Sequence, residues 1–342
     1  MGKLVGFLIK FGLAFIIAMV ALELFLRISG TSAPSITVDD PAFGRVMKPG
    51  MDVVFINEGF KLGSVNEYGY LGAGRPREKP EGVLRIALMG DSYVAGHHIF
   101  DRHHFGTLLQ ENLNEVSSRE VQVLNFGFPA VNFEQMYIYY RVFAKEFSPD
   151  IVLYFIGTSS LNAKADELGP RLEIEGDSLV IDYSFRDSPA FARSRKLSPI
   201  RDLAIYPLAR KALEMHARGM TMSVVFGKFY SLFSPEPETE ADETPVEKPG
   251  RMPLNRAIIR AMAKANREGP ATSIIVARDR LPDTFTEFVE EEGIQIFDPA
   301  PYLDSLAAQG IDPNYWPGSQ RRGHWNPYAH KVIADFLAHR LH

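Results

Sequence analysis

A serine and a histidine at opposite ends of a long alternating region are the residues of this chain best placed to do chemistry together. Gly90-Asp91-Ser92 follows the apolar run Val83-Leu84-Arg85-Ile86-Ala87-Leu88-Met89. Ser92 therefore stands where a buried strand ends and a helix is expected to begin. In open α/β sheets, sites gather at the carboxyl ends of strands. A serine there is exposed at the sheet top, and the free N–H groups of a helix start can steady an oxyanion. A Gly-Asp-Ser tripeptide is also ordinary turn chemistry, so the reading needs a base. His324, in Gly323-His324-Trp325-Asn326-Pro327, is the best candidate. It precedes the last expected helix and can reach back across the sheet top. Such a pair would attack an acyl carbon and carry the proton. His97, His98, His103 and His104 have no zinc spacing and no cysteine or HExxH helix beside them, so no metal and no cofactor is expected. His330, His339 and His342 lie on or beyond the last helix and read as solvated.

The elements that must position these residues alternate. Residues 83–89, 121–126, 151–156, 272–277 and 294–297 are compact apolar runs and read as strands. Between them, 104–113, 132–147, 254–267 and 284–292 have helical spacing, and 326–341 closes the chain as a helix with Pro327 in its first turn. Strands alternating with helices imply βαβ units: a three-layer α/β/α sandwich on a mainly parallel sheet. Residues 164–250 interrupt the rhythm, with a helix expected over 203–222 and an acidic, proline-rich loop over 234–250. The organisation expected is an anchor over 1–29, an irregular region with a few short strands over 30–80, and an α/β domain over 81–342 carrying that insertion.

The anchor is read from Leu4 to Leu26, an almost wholly apolar stretch interrupted by Lys10 and Glu23. As a helix it would rise about 34 Å, enough to cross a bilayer core. Lys3 and Lys10 favour a cytoplasmic N-terminus and a domain outside the cytoplasmic membrane. The competing reading is a signal peptide cut near Thr31-Ser32-Ala33, against which stand Pro34 and the length of the apolar run. Glu23 and Arg27 share a helix face near the outer interface, either as a simple ion pair or as a docking point for another membrane protein. The net charge of -5 argues against nucleic acid as a partner, and the absence of cysteine excludes disulfides and thiolate chemistry.

The order Gly90-Asp91-Ser92, Asn125, Gly157 and His324-Trp325-Asn326 resembles the blocks of SGNH/GDSL hydrolases. Ala21–Arg27, Asn66–Tyr70 and Ser148-Pro149-Asp150 resemble a membrane-anchored bacterial branch of that family. The resemblance implies an ester hydrolase with Ser92 as nucleophile and His324 as base, acting on small acyl esters or acylated glycan of the cell envelope. It also exposes departures. Where the family has an oxyanion glycine this chain has Ala130, which keeps its N–H but resists positive φ. Where the family has an oxyanion asparagine it has Ser159, with Asn162 as a stand-in outside the family position. Where the family has an aspartate before the histidine it has Arg321 and Arg322. With no carboxylate at 321–322, Asp304, Asp312 or a backbone carbonyl would have to orient the imidazole. Weak esterase activity follows as the expectation, raised by Arg322→Asp. The alternatives are a polysaccharide O-acetyltransferase and a silent relative that binds glycan or a membrane complex.

Overall fold

The computed structural model describes residues 2–29, 35–164, 166–176, 178–217 and 246–342. A helix α1 (Gly2–Ser29) leads into two hairpins, β1 (Thr37–Asp40) with β2 (Gly44–Met47) and β3 (Asp52–Ile56) with β4 (Phe60–Ser64). The central sheet follows: β5 (Leu84–Gly90), β6 (Val121–Gly127), β7 (Ile151–Ile156), β10 (Thr272–Ala277) and β11 (Ile296–Phe297). Its spatial order is β11-β10-β7-β5-β6, and every pairing within it is parallel. The insertion holds a hairpin, β8 (Arg171–Glu175) with β9 (Ser178–Asp182), then α6 (Pro189–Arg201) and α7 (Tyr206–Ala217).

Strands buried on both faces read as continuous apolar runs because each face meets its own helical layer. On β5, Ala87 and Met89 join one core and Ile86 and Leu88 the other. The first core is closed by α4 (Phe133–Val142), α8 (Met252–Glu268) and α9 (Asp283–Glu291), through Phe133, Ile138, Ile258 and Phe285. The second is closed by α3 (Phe105–Val116), α10 (Ala300–Ala308) and α11 (Pro327–Leu341), through Leu109, Leu303 and Ile333. This is the three-layer sandwich on a parallel sheet expected from the alternation.

The details shift at the edges. The last strand pairs over only Ile296 and Phe297, as suits an edge position with one neighbour. The helix expected over 132–147 breaks at Phe143 into a 3₁₀ turn, Ala144–Phe147. Of the helix expected over 203–222, Tyr206–Ala217 is helical and the remainder of its C-terminal part lies outside the described residues. Of the loop expected over 234–250, only 246–250 is described; it has no regular structure and is exposed except at Glu247, which is buried and accepts from Asn255 Nδ2 at 2.7 Å.

Candidate active site

Ser92 opens a one-turn helix, α2 (Ser92–Ala95), directly after β5. The turn is tight because two glycines let chain segments close in. A Cβ on Gly127 would lie 2.2 Å from the Ala95 nitrogen, and one on Gly90 would lie 2.2 Å from the Val94 side chain. Asp91 caps the turn by accepting from the Tyr93 N–H at 3.0 Å. His324 arrives on the loop before α11, whose first turn is capped by Asn326. The two residues meet: Ser92 Oγ is 2.7 Å from His324 Nε2. The histidine side chain is about a quarter exposed, so the pair can be reached from solvent.

The other ring nitrogen decides the character of the site. His324 Nδ1 lies 2.5 Å from Glu58 Oε1, and the Glu58 side chain is 4% exposed. A carboxylate stands behind the histidine after all, and it comes from none of the positions considered in the sequence. Asp312 instead pairs with Arg322 at 2.5 Å. Glu58 sits in the three-residue turn of the β3–β4 hairpin, Asn57-Glu58-Gly59. The hairpin is fastened to the segment after Ser92 by buried Lys61, whose Nζ donates to Asp101 at 2.6 Å and to the Gly96 carbonyl at 3.3 Å. The turn fits only because two partners are glycine. A Cβ on Gly59 would lie 2.0 Å from the His98 carbonyl oxygen, and one on Gly323 would lie 2.8 Å from Glu58 Cγ.

Burial alone would push the Glu58 carboxyl up, but His324, the residue's own backbone N–H and Asn57 together outweigh it and hold the group below the usual carboxylate range. Glu58 is therefore an anion at neutral pH, placed where it would stabilise an imidazolium at His324.

A set of buried histidines lies behind His324. His98 stacks on it with ring centroids 4.6 Å apart and planes 16° from parallel. His330, read from the sequence as solvated, is fully buried, because α11 packs against α3 on this side of the sheet. The Phe105 N–H donates to His330 Nδ1 at 3.0 Å, so the His330 proton is on Nε2, facing His98 Nε2 at 3.4 Å. His98 thus accepts at Nε2 and carries its own proton on Nδ1. The Gly106 N–H likewise fixes His104, which donates from Nε2 to the Val94 carbonyl at 2.8 Å. Burial holds His104 down to about 3 and His97 to about 4, and keeps His98 and His330 well below the usual imidazole value. All four are neutral at neutral pH. Glu58, His98 and His324 also bring three potential metal-ligand atoms within 4.8 Å of one another. A cation held there would have to take His324 from Ser92 or from Glu58, since both ring nitrogens are engaged.

The remaining sequence candidates separate. Ala130 adopts φ +61° despite its Cβ, a conformation that costs roughly 1–2 kcal/mol outside glycine. Its loop is tied to the Ser92 strand by the Phe128 N–H, which donates to the Gly90 carbonyl at 2.9 Å. Ser159 lies in the short helix α5 (Thr158–Asn162), and its Oγ accepts from Arg278 Nη2 at 2.6 Å. Arg278 follows β10, pairs with Asp91 and Asp279, and lies over the Tyr93 ring. With the Ser159 oxygen accepting, its own hydroxyl hydrogen is left to donate. Asn162 is turned elsewhere: it donates to the Val246 carbonyl at 2.7 Å and accepts from the Lys248 N–H at 2.6 Å. Its amide fastens the end of the insertion and does not serve as an oxyanion stand-in.

Sequence reasoning missed Glu58, Arg278 and His98. The hairpin gave a faint signal, since Val53-Val54-Phe55-Ile56 and Phe60-Lys61-Leu62 flank a turn holding one acid. Nothing in the spacing linked that acid to a histidine far along the chain.

No family model matches this chain, and no curated protein matches it in sequence. Solved structures do resemble it. A lipase/acylhydrolase from Enterococcus faecalis is 12% identical with a TM-score of 0.38, covering 75% of this chain and 95% of its own. A psychrotrophic esterase from Pseudoalteromonas sp. is 11% identical with a TM-score of 0.39, covering 75% and 96%. A protein assigned to the G-D-S-L lipolytic family from Desulfitobacterium hafniense DCB-2 is 12% identical with a TM-score of 0.36, covering 75% and 98%. By name these are a lipase/acylhydrolase, an esterase and a lipolytic protein of the G-D-S-L family, at an identity too low to transfer an activity. The functional reading rests on the side chains.

Proposed function

We propose that this chain is a serine ester hydrolase whose triad is Ser92, His324 and Glu58. The observation that carries the reading is the His324 ring, hydrogen-bonded through Nε2 to Ser92 and through Nδ1 to Glu58. In the first half-reaction Ser92 Oγ attacks the acyl carbon and its proton moves to His324 Nε2. The C–O bond to the leaving alcohol breaks, and His324 returns the proton to that oxygen. Water then repeats the sequence on the acyl-serine. Glu58 holds the tautomer that leaves Nε2 free to accept, and offsets the imidazolium charge. The Ser92 and Ala130 N–H groups and the Ser159 hydroxyl are the donors assigned to the oxyanion. The substrate is a small acyl ester, with acylated envelope glycan as the physiological class. The domain is held outside the cytoplasmic membrane by α1, an apolar helix long enough to cross a bilayer. The silent-relative reading drew its force from three departures, at Ala130, Ser159 and Arg321/Arg322; the contact of Glu58 with His324 Nδ1 answers the last of them.

The test is release of p-nitrophenol from its acetate by the purified chain. Wild type should turn over well above background, and Ser92→Ala should reduce the rate to background while remaining folded. Equal rates for the two would end the hydrolase reading for that ester.

A further inference from the structure

Helix α1 is not a tether that hangs free of the domain. Its apolar run from Phe11 to Leu22 ends at Glu23. The Glu23 carboxylate accepts from the Ala204 N–H at 2.9 Å and the Ile205 N–H at 3.0 Å, the unsatisfied amides just before α7. Arg27 donates to Glu23 at 2.6 Å and to the Asp202 carbonyl at 2.7 Å. Leu26 is buried at this junction, although most of α1 is bare. The elbow between α6 and α7 is thereby fixed at the level where the apolar run of α1 stops. If α1 spans a bilayer, that level is the boundary between acyl chains and headgroups.

The elbow suits that depth. Leu197, Ile200, Leu203, Leu208 and Leu213 are all exposed, Leu213 at 69%. A cluster of large aliphatic side chains facing water is what a lipid surface would cover. The charge agrees. Between residues 193 and 210 stand Arg193, Arg195, Lys196, Arg201 and Arg210 against one acid, Asp202, in a chain whose net charge is -5. Arg201 is paired with Asp39 and Asp202 with Lys48, whereas Arg193, Arg195 and Lys196 are exposed. Basic side chains next to exposed leucines complement an anionic headgroup layer.

We infer that the α6–α7 elbow is an interfacial foot that lies in the outer headgroup layer of an anionic membrane and, through Glu23 and Arg27, fixes the catalytic domain's attitude to the lipid surface. The inference rests on α1 being a span, and the experiment separates the two. The chain has no cysteine, so single-cysteine variants of the full chain take one fluorescent label each. Ile16→Cys reports on α1; Leu208→Cys and Leu213→Cys report on the elbow. Each is reconstituted in vesicles of phosphatidylcholine with phosphatidylglycerol, carrying spin-labelled lipid quenchers at shallow or deep positions. The expected result is quenching of Ile16 by deep labels, and loss of about half of the Leu208 and Leu213 fluorescence with shallow labels. Adding Arg195→Glu and Lys196→Glu should weaken the elbow quenching in these vesicles and leave Ile16 unchanged. Quenching at Ile16 without quenching at Leu208 or Leu213 overturns the foot and leaves the span standing. Elbow probes shielded from both lipid quenchers and aqueous iodide would mean a protein partner covers the surface, and would also overturn it. No quenching at Ile16 removes the span, and the foot with it. Elbow quenching indifferent to the charge reversal and to phosphatidylglycerol would refute the anionic-lipid assignment.

Discussion

Replacing Glu58 by Gln should nearly silence the enzyme while changing its shape little. In the wild type one carboxylate oxygen meets His324 Nδ1 at 2.5 Å and the other accepts from Asn57 Nδ2 at 2.7 Å. A glutamine cannot accept on both sides. To keep the Asn57 bond it must turn its oxygen there and present its NH₂ to His324 Nδ1. That orientation favours the tautomer with the proton on Nε2, so the base facing Ser92 is already protonated. The charge is lost as well. A carboxylate within about 4 Å of an imidazolium contributes about 4 kcal/mol at an effective dielectric near 20. That corresponds to a rate loss of roughly 10³-fold, and the wrong tautomer brings it toward the roughly 10⁴-fold seen when an orienting carboxylate becomes an amide in a serine protease. The assay is kcat on p-nitrophenyl acetate, with circular dichroism to confirm folding and Glu58→Asp as the partner variant. Asp keeps the charge but falls one methylene short, so it should retain more activity than Gln. A folded Glu58→Gln enzyme with more than a tenth of wild-type kcat would refute the role assigned to the carboxylate.

Other outcomes follow from the same geometry. Arg322→Asp, expected from the sequence to restore a missing acceptor, should bring no gain in kcat, because Glu58 already holds Nδ1 and Arg322 is paired with Asp312. Gly323→Ala should lower kcat about tenfold or more with little change in KM, since its Cβ would press on Glu58 at 2.8 Å and a small displacement of a catalytic group is costly. Ser159→Ala should reduce kcat by roughly 10²-fold if its hydroxyl donates to the oxyanion, with Arg278→Met producing part of the same loss; an unchanged kcat in Ser159→Ala would remove Ser159 from the site. Stability should fall steeply in mild acid. The unfolded chain takes up protons at its histidines below about pH 6.5, whereas half-buried His97 and buried His104 stay neutral down to about 4 and about 3, with His98 and His330 also held low. The unfolded state then binds more protons, so each such histidine costs about 1.4 kcal/mol of stability per pH unit below about 6.5, until its own folded value is reached. Thermal unfolding between pH 7.5 and 5 checks this, and a flat melting temperature would refute it.

How much of this was legible in the sequence follows from the physics of each part. The sheet was legible because strands covered on both faces must be apolar throughout, and β5, β6, β7 and β10 lie within a residue of where their runs placed them. Ile294 and Gln295 continue the last run but fall outside β11, since an edge strand pairs on one side only. The approach of Ser92 to His324 was legible because both sit at loop–helix junctions that the topology gathers at one edge of the sheet. Glu58 was not, because a hairpin docked from outside the alternating region leaves no local period pointing at its target. His330 could have been read: it stands three residues before Ile333 and seven before Leu337, on the stripe of α11 that faces the core. The positive φ of Ala130 could not, since nothing in the alanine itself announces it.

Glu58 and His324 are 266 residues apart, with Ser92 on the near side of that interval. A growing polypeptide emerges acid first, nucleophile next and base long after both. Until α11 is in place, Ser92 has no proton acceptor and is an ordinary alcohol. On the triad proposed above, a fragment ending anywhere between the insertion and His324 would hold Ser92 without its base. Removal of the two N-terminal hairpins would give the complementary product, an α/β core that keeps its nucleophile and base but has lost the anion that orients them.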